Sequence, residues 1–366
     1  MENNHLPIAI IGAGPVGLVA AAHLLFKGVT PLIIEAGPAA GANIDTWQHV
    51  TMFSPWAFNL DKVAARLLRD NGWMPPPENH YPTGRELLDH FVLPLAQLEP
   101  ITQALRLNTR VLAVTRASHD VMKSKGRTAS PFLLRVAGPS GIDNILARAV
   151  IDASGTFQTP NWMGANGIPA LGEHEHAAHI AYGVPAVSGG ARARYANKRV
   201  LVVGSGHSAF NALQDLVELT LDAPKTRVLW AIRGDSAERI LEGGENDSLQ
   251  ERGNLVIRIR RMLASGAIEL FKNVSVDRIA GSDRGLIVTS AEHPLPAVDE
   301  VIVATGFRPD TGLLGELRIA LDPGTQSPAL LAPLIDPNEH SCGSVRSHGA
   351  AELAHPEKDV FIVGMK

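Results

Sequence analysis

Cysteine is almost absent from this chain: Cys342 is the only one among 366 residues. A single thiol excludes an internal disulfide, a CxxC redox pair and a cysteine-rich zinc site. Such sparing use suits a cytoplasmic protein, and the cytoplasm is the expected compartment. An excess of either charge is also missing. The 33 Lys and Arg and the 37 Asp and Glu are interspersed and leave a net charge of −4, so no basic stripe is available to neutralise the phosphates of a nucleic acid. Long hydrophobic runs are scarce as well. The uncharged stretch from Ile8 to Phe26 has the length of a membrane span or signal sequence. Its glycines break it into an apolar strand, a turn and an alanine-rich helix, and no Lys or Arg precedes it. Neither a membrane partner nor a targeting segment is expected. What is left, 45% hydrophobic and 19% charged residues, is the composition of a globular protein with room for two or three domains.

Short apolar runs recur between helical stretches at Ile8 to Ile11, Pro31 to Ile34, Val200 to Val203, Val228 to Ile232 and Val301 to Ala304. Runs of this kind are the pattern of parallel strands buried on both faces, and their alternation with helices predicts a doubly wound α/β fold. Residues 105–153 differ, with β-type stretches at Val111 to Val114 and Phe132 to Val136 and no long helix, which reads as an inserted β-meander. Residues 161–194, rich in Gly, Pro, Ala and His, read as a linker. The final apolar stretch, Val360 to Val363, is expected to return to the first unit and make it discontinuous. The expected division is 1–160 plus 305–366 for the first unit and 195–304 for the second.

Gly12-Ala13-Gly14-Pro15-Val16-Gly17 stands after the first strand and before a helical run from Leu18 to Phe26. Gly12 permits the tight turn, Gly14 lets the backbone approach a pyrophosphate, and Gly17 allows close helix packing, while the helix N-terminus supplies partial positive charge. Glu35 closes the next strand at the spacing, about 20 residues on, where a carboxylate accepts from ribose hydroxyls. Gly204-Ser205-Gly206-His207-Ser208-Ala209 repeats the arrangement before a helix from Ala209 to Leu221, with Ala209 in place of the third glycine. The second strand here ends in Arg233, where an acidic residue would mark an NAD site. A guanidinium there can pair with the 2′-phosphate of NADPH; an Arg at a strand end also has the plainer reading of a solvated side chain. Arg192, Arg194 and Lys198 read more simply as a basic surface loop.

Asp152-Ala153-Ser154-Gly155-Thr156 and Ala304-Thr305-Gly306 each follow an apolar strand with small residues that let a chain pass close to a cofactor. Taken with both glycine motifs, they resemble the FAD/NAD(P)-dependent flavoprotein superfamily. Within it the chain is most similar to bacterial proteins of the flavin-containing monooxygenase type, some encoded beside arsenic-resistance genes. The stretches that carry the likeness are Ile10 to Leu18, Phe53-Ser54-Pro55-Trp56, Tyr81-Pro82-Thr83-Gly84, Asp152 to Thr156, Val202 to Asn211, Ala304 to Pro309 and Pro333 to Gly349. The resemblance implies two Rossmann-like domains of the three-layer ββα type, the first holding FAD and the second NADPH. The residues expected at the cofactors are Gly12, Gly14, Pro15, Gly17, Glu35, Ser154, Gly155, Gly204, Gly206, Ser208, Arg233, Thr305 and Gly306. It further implies that dioxygen is a co-substrate, one oxygen atom passing from a C4a-(hydro)peroxyflavin to a small soft nucleophile bearing nitrogen, sulfur or trivalent arsenic.

Two features depart from that family. The Phe-x-Gly-x-x-x-His-x-x-x-Tyr/Trp fingerprint is missing before the second glycine motif. The helix that should follow Val360 to Val363 and face the flavin is missing too, so the chain ending at Lys366 reads either as truncated or as one that has dispensed with a cofactor-contacting helix. An NADPH-dependent flavin reductase without oxygenation and a non-catalytic redox sensor therefore stand as alternatives. No side chain is singled out as catalytic, because the cofactor supplies the chemistry. The cluster Pro337 to Cys342 offers a carboxylate, an imidazole and a thiol, but reads more simply as a polar loop. His174, His176 and His179 have ligand-like spacing without cysteine or acidic partners, and no metal is expected. Trp47, Phe53 and Trp56 are candidates either for the flavin's surroundings or for the core.

Overall fold

Two five-stranded parallel sheets carry the protein in the computed structural model, which describes residues 5–242, 244, 247, 249–291, 293–335, 345 and 347–364. The first sheet runs in the order Val360–Ile362, Ala149–Asp152, Ile8–Ile11, Pro31–Ile34, Leu105–Arg106. The second runs Glu269–Phe271, Arg227–Ala231, Arg199–Val203, Glu300–Val303, Ile180–Tyr182. Every neighbouring pair in both sheets is parallel.

Successive strand residues point to opposite faces, so a strand that is apolar throughout needs cover on both sides. In the first unit Ile10 and Ile33 pack with Leu18, Ala21 and Ala22 of the helix Pro15–Phe26. Ala9, Ile11 and Ile34 face the other way, onto Val114, Phe132 and Leu134. Those residues belong to an antiparallel meander of Arg110–Arg116, Phe132–Gly138 and Gly141–Ala147. The second unit repeats the plan. Val200, Val202 and Trp230 meet Phe210, Leu213 and Leu216 of the helix His207–Leu219, together with Leu255 and Ile259 of the helix Gln250–Ala264. Leu201, Val203 and Leu229 meet Ile279, Leu286 and Val288 of the ribbon Val276–Ser282 and Gly285–Ser290. The α/β architecture of three layers with a β-meander is therefore as expected, and each fully buried Ile or Leu contributes about 1.5–3 kcal/mol to holding it.

Details differ from the sequence reading. The first helix begins at Pro15 rather than Leu18, since proline lacks the N–H that the first helical position leaves unpaired in any case. Ile180–Tyr182 lies inside the stretch expected to be linker, yet pairs in parallel with Glu300–Val303 at the sheet edge; three residues are too few to show a period. Val360–Ile362 pairs with Ala149–Asp152 in the first sheet. Among the described residues no helix is long and apolar enough to cross a membrane.

Candidate functional site at two glycine loops

The first loop leaves the strand Ile8–Ile11 at its carboxyl end. Gly12 has φ +100°, and a Cβ there would lie 2.8 Å from the Ala153 carbonyl oxygen, so only glycine fits both the turn and the passing chain. A Cβ on Gly17 would lie 2.0 Å from the Gly12 carbonyl oxygen; the helix thus seats a bare Cα against the loop. Gly14 is the opposite case, with nothing within 4 Å of where a Cβ would be. It is the N-cap of the helix that Pro15 begins, and no side chain caps it. An uncapped helix N-terminus beside open space leaves backbone donors and positive partial charge for an anion.

Glu35 accepts the Ala13 N–H on Oε2 and the Gly37 N–H on Oε1, each at 2.7 Å. An ionised carboxylate has about four acceptor sites, so capacity remains for ribose hydroxyls. Ser154 donates from Oγ to Asp152 Oδ1 at 2.7 Å, which fixes the segment passing Gly12. Gly12, Glu35, Ser154 and Gly155 line one cavity of about 600 Å³, shared with Asn43, Thr109, Arg110, Gln158 and Asp310. Its size is that of a cofactor pocket.

The second loop is built alike. Gly204 has φ +135°, and a Cβ on it would lie 2.3 Å from the Ala304 carbonyl oxygen. Ala304-Thr305-Gly306 therefore passes Gly204 as Ala153-Ser154-Gly155 passes Gly12. Gly206 has nothing within 4 Å of a Cβ and caps the helix His207–Leu219 with no side-chain hydrogen bond; Ser208 is the second residue of that helix. Strand register sets Val203 beside Ala231 as it sets Ile11 beside Ile34. Ile232 is thus level with Glu35, and Arg233 stands one residue further on. Arg233 is exposed, and its Nη1 lies a long 3.5 Å from the Ala165 carbonyl oxygen. Arg192 and Arg194 pair with Asp222 and Glu300 at 3.4 and 2.6 Å.

The two units meet in two ways. The connecting segments run beside each other: Asn161 N–H donates to Gly306 O, Arg308 N–H to Thr159 O, each at 2.9 Å, and Asn161 and Thr305 exchange side-chain hydrogen bonds at 3.0 and 2.9 Å. Phe157 and Phe307 stack across them with centroids 5.1 Å apart. Elsewhere Phe53 of the first unit packs edge-on against His207, 5.2 Å between centroids. Burial pushes the His207 imidazole below its ordinary pKa, and the Arg252 charge adds to this while Asp247 opposes it.

Of the remaining aromatic candidates, Trp56 is buried in the first core, and Trp47 packs against Gly84, where a Cβ would meet its ring at 2.9 Å. Met52 N–H bonds Pro82 O at 2.8 Å and Gly84 N–H bonds Val50 O at 3.0 Å, so the Phe53 and Tyr81 stretches brace each other. His174 packs on Trp162 with centroids 5.0 Å apart, and His179 lies 3.1 Å from Glu300; among the described residues no group of three His, Cys, Asp or Glu is arranged to hold a metal. Pro337 to Cys342 lie outside the described residues. Sequence reading missed Asn43, Arg110, Gln158 and Asp310, which line the cavity from separate loops, and Trp230, considered below.

A model of the family described as pyridine nucleotide-disulphide oxidoreductase matches residues 9–332. A ferredoxin–NADP reductase of Salinispora arenicola is 26% identical over 325 residues, 87% of this chain and 79% of the relative. Among solved structures, the bacillithiol disulfide reductase of Bacillus cereus gives a TM-score of 0.69 at 20% identity, covering 98% of this chain and 90% of its own. The FAD-bound cadaverine monooxygenase of Erwinia amylovora gives 0.66 at 14% identity, with 98% and 87% covered. These two likenesses show the fold.

Proposed function

This chain belongs to the pyridine nucleotide-disulphide oxidoreductase family, and from that premise we propose that it is an FAD-dependent enzyme that oxidises NADPH and passes the electrons to an acceptor outside the chain. The observation that carries the reading is the repeated cradle: two strand–glycine loop–helix units, each with an uncapped helix N-terminus beside open space at Gly14 and Gly206. Gly12, Gly14, Pro15 and Gly17 would hold the FAD pyrophosphate, Glu35 its ribose, and Ser154 and Gly155 the wall of the same cavity. Gly204, Gly206 and Ser208 would hold the NADPH pyrophosphate and Arg233 its 2′-phosphate. Thr305 and Gly306 sit where the chain crosses between the two sites. Bound FAD supplies a two-electron carrier that NADPH can reduce.

The single cysteine rules out a dithiol relay within the chain, so the terminal acceptor comes from elsewhere. We read it as dioxygen, whose O–O bond is cleaved with one oxygen atom delivered to a small nitrogen, sulfur or arsenic(III) nucleophile and the other reduced to water by the two electrons of NADPH. Support comes from the aromatic contacts where the two units meet, Phe53, His207 and Phe210 at one place and Phe157 with Phe307 at another, which would help to shield an oxygen transfer from water, and from the fold shared with a monooxygenase. A second reading, a reductase serving a protein acceptor, is supported by the 26% identical ferredoxin–NADP reductase. Flavin absorption bleached anaerobically by NADPH in preference to NADH tests the common part; a protein that FAD cannot reconstitute would sink it. Product oxygenated in step with NADPH consumed favours the first acceptor. NADPH oxidation sustained only by ferredoxin or ferricyanide favours the second.

A further inference from the structure

The two loops are held by different means. In the first, the Gly12–Ala13 peptide is fixed at both ends: its carbonyl rests on the bare Cα of Gly17, and its N–H donates to Glu35 at 2.7 Å. Neither device exists in the second loop. Position 209 is alanine, whose Cβ closes the approach that Gly17 allows, and the residue level with Glu35 is Ile232, whose side chain has no acceptor. Instead the indole Nε1–H of Trp230 donates to the Gly204 carbonyl at 2.7 Å. Trp230 is fully buried and is itself held edge-on by Phe210, 5.9 Å between centroids. The residue at the same register in the first unit is Ile33, which has no donor.

We infer that Trp230 is a positioning residue for the nicotinamide dinucleotide, its indole N–H fixing the Gly204–Ser205 peptide so that the loop's N–H groups face the pyrophosphate. The inference rests on the reading of this loop as the NADPH cradle. Among the described residues no peptide bond is cis, and in a trans peptide the carbonyl and the following N–H point in opposite directions. Tying the Gly204 oxygen inward to Trp230 therefore turns the Ser205 N–H outward, to the side where Ser205 is exposed and Gly206 open. Without the indole donor that carbonyl loses its side-chain partner, and the peptide is free to rotate into orientations that present oxygen to the phosphates.

The test is NADP⁺ binding to FAD-loaded protein by titration calorimetry. Trp230→Phe keeps the ring and deletes the donor; it is expected to raise the Kd for NADP⁺ about tenfold, the scale of one lost buried hydrogen bond, with FAD content unchanged. Adding Ala209→Gly, which reopens the bare-Cα seat, should recover part of the loss. A Kd within twofold of wild type overturns the inference. Wild-type protein that binds no NADP⁺ overturns the reading of the loop instead. Should Trp230→Phe fail to fold, the indole ¹H–¹⁵N resonance of Trp230 in the wild type decides: slow exchange and a shift on adding NADP⁺ support the inference, and an unmoved resonance overturns it.

Discussion

Gly14 and Gly17 sit three residues apart and have opposite tolerances. A Cβ on Gly14 meets no atom within 4 Å beyond its chain neighbours, so Gly14→Val should change the unfolding free energy of the apoprotein by no more than about 1 kcal/mol, the scale of an N-cap preference, while abolishing stoichiometric FAD, read by the absorbance ratio of flavin to protein. Gly17→Ala drives a Cβ to 2.0 Å from the Gly12 oxygen and should lower both FAD content and stability. Arg233→Ala should raise KM for NADPH by about tenfold or more, the worth of a charge-assisted hydrogen bond, and leave KM for NADH unchanged; equal losses with both would remove Arg233 from the 2′-phosphate. At this scale the glycine motifs were legible because strand, turn and helix follow one another directly along the chain, whereas the passage of Ala153 against Gly12 and of Ala304 against Gly204 was not. Trp230 was not, because its partner is a backbone oxygen 26 residues away, and its only trace in the sequence is the alanine at 209.

Among the elements, the last strand is secured by a buried ionic cluster rather than by its three residues alone. Glu357, just before Val360–Ile362, accepts from Arg116 Nε at 2.9 Å and Arg127 Nη2 at 2.7 Å, with both arginines inside the meander and all three side chains almost fully buried. Burial by itself would raise the Glu357 pKa, but hydrogen bonds from Arg127, Arg116 and the Arg318 N–H bring it net below the ordinary 4.5. A carboxyl whose folded pKa is depressed stabilises fully above its unfolded pKa, and that stability is lost as pH falls through the folded value. Glu357→Gln should therefore cost about 3–5 kcal/mol at neutral pH, because it leaves buried guanidinium charge uncompensated, and should flatten the acid limb of the unfolding midpoint. A cost below about 1 kcal/mol in urea unfolding would contradict this. The two-faced burial of parallel strands made their runs readable to within a residue or so, whereas Ile180–Tyr182 and Leu286 to Val288 are apolar runs of only three residues, too short to stand out.

For the whole molecule, the rings of Trp230, Phe210, His207 and Phe53 form a chain of edge-on contacts, 5.9, 5.6 and 5.2 Å between successive centroids, from beneath the second loop into the first unit. Phe53→Ala should cost about 1–2 kcal/mol of stability and slow anaerobic flavin reduction by NADPH several-fold while FAD content stays intact; an unchanged reduction rate would show that this junction does not set the placement of the two cofactors. No sequence pattern announced the contact, since pairing between units depends on a fold that must exist first. The side-by-side passage of residues 159–161 and 306–308 has a consequence of another kind. Entry to and exit from the second unit are a hydrogen bond apart, which is the arrangement under which one domain can be spliced into a loop of another. The second unit is in that sense a cassette: its two ends lie close enough for it to be exchanged whole while the strand order of the first sheet is kept.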